Sequence, residues 1–178
     1  MAVLYPHINF LLEVINMAVV HGVVRTDNLS GIYDGARLAA VKYFDGAAYA
    51  EIDNGMIVSL DEYLGADVYK AVKPVAGQKL GKLALVAGVE LFKEGERPLD
   101  MWVNPADEPV RVYVFRQGDV FSVTAPDIEG TPDAESNKFI AVGDDTKYVV
   151  AAAEDGAFAE LIAIEAVGAY VYYVYRVL

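Results

Sequence analysis

The chain has 178 residues, no cysteine, 14 basic against 26 acidic residues, and a formal charge of −12. This length suits one domain, or one domain with an arm, and buries a core without staples. The missing thiols exclude disulfide scaffolds, zinc–thiolate sites and thiol catalysis, and the acidic balance disfavours binding to phosphate backbones.

Hydrophobic residues make up 55% of the chain and mean hydropathy is +0.29. Such values predict a large core, or apolar surface buried between subunits. Residues 1–24 are the most apolar part. They lack the positive start and small-residue cleavage site of a signal peptide. Glu13, Asn16 and His21 interrupt them, which argues against a membrane span. Ile8, Leu11, Leu12, Ile15 and Val19 fit one helical face, whereas the density of Val and Ile favours extended chain. The segment is read as an apolar arm that packs on its own core or docks on a neighbouring subunit. A linker comes next at residues 26–31, so residues 1–35 form the arm and linker and residues 36–178 a β-rich domain.

Turn dipeptides punctuate the rest of the chain. Asp34-Gly35, Asp45-Gly46 and Asn54-Gly55 bracket short alternating runs at residues 37–44, 47–52 and 56–60. That pattern predicts a three-stranded meander. Further strands are expected at 67–75, 82–87, 89–92 and 101–103. Residues 110–124 read as a hairpin: Val110, Val112 and Val114 on one face, Arg111, Tyr113 and Phe115 on the other, a turn at Gln117-Gly118-Asp119, then Val120, Phe121 and Val123. Residues 125–137, with Asp127, Glu129, Asp133 and Glu135, read as an exposed acidic loop. Strands at 139–142, 147–153, 158–167 and 170–178 complete the chain, the last covered on both faces. About ten short strands with regular turns predict a mainly β fold, an antiparallel barrel or sandwich.

Sites of chemistry are sparse. His7 and His21 both lie in the arm, with no serine in a nucleophile-elbow context, and are read as structural. The loop from Gly77 to Lys82 is too short between its glycines for a phosphate loop, and Leu83 stands where Ser or Thr would hold magnesium. Asp127, Glu129 and Asp133, or Asp144 and Asp145, offer oxygen ligands for calcium, but their spacing is not that of an EF-hand, and solvated turn acids are the simpler reading. Nothing selects a carboxylate pair for glycoside cleavage. The chain is therefore expected to be no enzyme, with no catalytic, cofactor-binding or metal residue and no cofactor.

Four segments together resemble a group of tailed-bacteriophage virion proteins. They are Asn54-Gly-Met-Ile-Val-Ser-Leu60, Asp67-Val-Tyr-Lys-Ala-Val-Lys-Pro74, Gly88-Val-Glu-Leu-Phe92 and Arg111-Val-Tyr-Val-Phe-Arg-Gln-Gly-Asp-Val-Phe-Ser-Val-Thr124. The resemblance covers roughly residues 40–178 and leaves residues 1–35 unmatched. It implies a minor head protein that decorates or cements the capsid, or part of a head fibre. The expected partner is the major capsid protein, with a homo-oligomer such as a trimer, and neither nucleic acid nor membrane as ligand. The expected location is the capsid surface, after synthesis in the host bacterial cytoplasm. Other readings are a tail or fibre subunit, and a carbohydrate-binding β-domain using Trp102 and exposed tyrosines.

Overall fold

A computed structural model describes residues 19–78, 80–91 and 98–178. Five strands close a barrel: β1 (Leu38–Tyr43), β2 (Ile57–Gly65), β3 (Val68–Val72), β4 (Leu83–Val86) and β5 (Val110–Val114), in the order β1-β3-β2-β4-β5. Closure is made by β1, which pairs in parallel with β3 and antiparallel with β5. The other strands are β6 (Val120–Val123), β7 (Ile128–Glu129), β8 (Phe139–Val142), β9 (Tyr148–Ala151), β10 (Ala159–Val167) and β11 (Tyr170–Val177). They form one sheet in the order β6-β11-β10-β8-β9-β7. The mainly β fold expected from the turn spacing is the fold adopted, with two parallel pairs, β1–β3 and β7–β9, among the antiparallel ones.

Alternation along the barrel strands builds two cores at once. In β2, β4 and β5, one set of side chains points into the barrel: Val58, Ala84, Val86, Val110 and Val112, joined by Val41 and Ala71. The other set, Ile57, Leu83, Leu85, Tyr113 and Phe115, packs instead with Phe121, Ile140, Tyr148, Phe158 and Tyr175 of the second sheet. Strands covered on both faces lose the apolar–polar alternation of a half-exposed strand; all four residues of β4 are buried.

Three expectations are corrected. Residues 36–60 form no meander: β1 and β2 are separated by β3. Residues 47–52 contribute only the bridges Phe44–Tyr49 and Ile52–Asn104. Both edges of β1 are already taken, and the Asp45 carboxylate ties down the amides of Ala47 and Ala48 at 2.8 and 2.9 Å, making a local turn instead. Second, residues 110–114 and 120–123 are strands but not a hairpin. The turn at Gly118 pairs with the end of β11: Gly118 N–H donates to the Val177 carbonyl (2.9 Å), and Val177 N–H to that of Asp119 (2.8 Å). Third, residues 89–91 and 101–103 are not strands; Leu99–Met101 is a 3-10 turn, and Phe92 lies outside the described residues.

Candidate interaction surface

The chain between residues 20 and 30 lies along the outer edge of β6. Val24 bridges Val123, Arg25 N–H donates to the Ser122 carbonyl (3.1 Å), and Ser30 N–H to that of Val120 (2.9 Å). Asn28 Nδ2 donates to Ser122 Oγ at 2.7 Å. Val23, Val24 and Leu29 are buried, so this part of the arm and linker packs on its own core. Residues 1–18, with His7, lie outside the described residues.

Ahead of that edge, residues 20–23 pass through a clasp built from carboxylates and a hydroxyl. Val20 N–H donates to Asp100 Oδ2 (3.3 Å), and His21 N–H to the Asp100 carbonyl (3.1 Å). His21 Nδ1 lies 3.2 Å from both Asp53 carboxylate oxygens, and Gly22 N–H donates to Asp53 Oδ2 (3.4 Å). Val23 N–H donates to Thr124 Oγ1 at 2.9 Å. Asp53 is thus the side-chain partner of His21.

The clasp is seated on Asp127, which the acidic-loop reading misplaced: its residue is fully buried. The reason is local. Thr124-Ala-Pro-Asp127 has capping-box spacing, and Asp127 Oδ2 accepts the Thr124 amide (3.2 Å) and hydroxyl (3.3 Å), drawing the carboxyl inward. Its Oδ1 has no hydrogen-bond partner among the described residues. Burial, and then the nearby Asp53 charge, push its pKa well above the usual carboxylate range. Two glycines make the space. A Cβ on Gly22 would lie 1.9 Å from Asp127 Oδ1, and one on Gly55 2.4 Å from Oδ2. The spacing from Thr124 to Asp127 was the signal available in the sequence; the exposed part of that loop begins at Glu129.

Beneath the clasp is a knot of buried amides. Asn54 exchanges hydrogen bonds with the Gly88 backbone (2.8 and 3.1 Å), and Asn104 Nδ2 donates to Asn54 Oδ1 (3.0 Å) and to the Ile52 carbonyl (2.8 Å). Trp102 Nε1 donates to Asn104 Oδ1 at 3.1 Å, which anchors its indole to the knot.

Beside the clasp stands the long ribbon of β10 and β11. The Tyr170 hydroxyl, at the start of β11, donates to Asp100 Oδ1 (3.0 Å), the same carboxylate that holds Val20. Arg25 reaches Glu165 of β10 (2.5 Å) and Asp27 (2.7 Å), with its guanidinium carbon 5.7 Å from the Tyr172 ring centre. The hydrogen bond to Arg25 holds the Asp27 carboxyl below its ordinary range. β8 pairs with β10 only at Ala159 and Glu160. Beyond a bulge at Ile162, residues 163–167 pair with β11 alone, and Ile162, Ile164 and Val167 are exposed.

Elsewhere, Glu129 ends β7, and the acidic candidates Asp133 and Asp145 are turn residues. Asp133 Oδ1 accepts the amides of Glu135 and Ser136, and Asp145 accepts that of Thr146 and pairs with Lys73. Among the described residues no group of three or more His, Asp or Glu could hold a metal ion, and no helix is long and apolar enough to cross a membrane. No protein-family model, curated protein or solved structure matches the chain.

Proposed function

We propose that the protein is a structural virion protein of a tailed bacteriophage that binds the outside of the capsid as a decoration or cement protein and stabilises the head. The resemblance over residues 40–178 motivates the reading. The observation that carries it is the set of exposed apolar side chains on the far half of β10, Ile162, Ile164 and Val167, beside the clasped arm on a doubly packed body. Exposed apolar side chains grouped on one element mark binding surfaces for other proteins. Many copies of a modest contact strengthen a shell through avidity, and a charge of −12 suits a position away from packaged DNA.

The test is made on particles. Heads purified on a gradient should contain the protein. Heads assembled without it should release DNA at a lower temperature, and adding back the pure protein should restore them. Its absence from purified virions overturns the reading, and its recovery with detached tails moves it to the tail or fibre alternative. The carbohydrate alternative is separated by a binding assay: glycan binding abolished by Trp102→Ala would favour it.

A further inference from the structure

We propose that the free edge of β10, residues 163–167, is completed by the N-terminal arm of a second copy of this chain, added as an extra strand from within residues 8–16. The inference concerns the protein in solution and does not rest on the capsid reading.

The edge itself is the first observation. Five consecutive residues, Ala163 to Val167, are in register with β11 on one side, and among the described residues their other side has no backbone partner. Sheets normally protect such an edge with lysine, proline or a covering loop. Here it reads Ala-Ile-Glu-Ala-Val, without lysine or proline. Its one charge, Glu165, is held by Arg25. The bulge at Ile162 ends pairing with β8 and leaves the regular stretch beyond it open.

The second observation is where the arm leaves the body. Asp100 holds the Val20 amide with one carboxylate oxygen and the Tyr170 hydroxyl with the other. Tyr170 pairs with Val167 at the closed end of the ribbon. The arm therefore departs beside the ribbon's tip. From that point its own β10 edge lies on the far side of β11 and of the turn at Gly168, which favours the edge of a second copy. The eleven residues from Ile8 to Ala18 span up to about 36–40 Å when extended, enough to cross to a neighbour.

Charge points the same way. Two copies at −12 each repel, so contact is least opposed where charge is thinnest. Residues 8–18 carry a single charged side chain, Glu13. Pro6, which has no amide hydrogen, lies outside the proposed strand. Reciprocal or cyclic exchange of arms closes a symmetric oligomer.

The experiment combines light scattering with hydrogen exchange on the full chain. The expected result is a mass at least twice 19.3 kDa, with those amides of residues 163–167 that face away from β11 exchanging at least tenfold more slowly than those of the turn at Gly168. The pair Ile162→Lys with Ile164→Lys at the edge, and independently Leu11→Lys with Ile15→Lys in the arm, should each return the protein to a monomer and release those amides. The arm pair alters residues ahead of the two sheets, so it reads out even if the edge pair fails to fold. A monomeric full chain overturns the proposal. So does an oligomer whose amides at 163–167 exchange fast, or one that survives the arm pair. A monomer with slow exchange there places the chain's own arm on its own edge and overturns the second-copy assignment.

Discussion

The two cores of this protein obey different rules. Inside the barrel the fully buried side chains are valine and alanine: Val41, Val58, Ala71, Ala84, Val86 and Val112. Between the barrel and the second sheet, larger aliphatic side chains (Ile57, Leu83, Leu85, Ile140) share the core with rings: Phe115 lies 5.0 Å from Phe121 and 5.1 Å from Phe158, and Phe121 lies 5.4 Å from Tyr148 and 5.7 Å from Tyr175, centre to centre. Closure explains the contrast. A barrel's width falls with its strand number, so five strands leave room for short branched side chains and little else. The layer between sheets is held open to about 10 Å and takes rings.

The sharpest break of that contrast is made in the aromatic layer. Phe121 touches Phe115, Tyr148, Phe158 and Tyr175 at once, so Phe121→Ala should cost about 3–5 kcal/mol, read as a fall in the urea midpoint at unchanged slope. Ala84→Leu asks the opposite question in the barrel. The added carbons have nowhere to go, and the expected loss is about 1–3 kcal/mol, with the amide exchange of β1 and β5 rising first if the closing pair yields.

Asp127, at the margin between the two cores, should respond to pH. Its folded-state pKa lies above the ~3.9 of an unfolded aspartate. Folding therefore takes up a proton between those two values. The contribution to stability is complete below the unfolded pKa and is lost as pH rises through the folded one. Asp127→Asn keeps an acceptor for the Thr124 amide without the proton-dependent charge. It should be more stabilising, relative to the parent, at pH 8 than at pH 5 in paired urea titrations. The smallest effect is expected outside both cores: Arg25→Ala removes a part-exposed pair with Asp27 and Glu165 and should cost only ~0.2–1 kcal/mol, falling with added salt.

Strands were legible in the sequence where alternation was strong; their partners were not. Val110 to Phe115 and Val120 to Val123 announce extended chain through β-branched and aromatic residues. Whether two such runs pair depends on which edges are free, and both edges of β5 belong to β1 and β4. Phe115 and Phe121 do meet, but as rings across a layer and not as neighbours in a ladder. The clasp was hidden for a related reason. Asp53, Asp100 and Asp127 are far apart in the chain, and an aspartate beside a proline looks like a turn. Only the step from Thr124 to Asp127 betrays a carboxyl folded back on its own backbone. The ribbon, by contrast, was visible as two long runs, and what the structure added is that one of its edges is open.

The hydrogen bond from Val23 to Thr124 joins residues 101 positions apart. On the ribosome, the segment that docks against β6 is made long before the strand that receives it. At about 5–20 residues per second, the interval is roughly 5–20 s. For that time residues 23–30 have no seat in their own fold, so nascent copies on one message meet with that segment still unplaced.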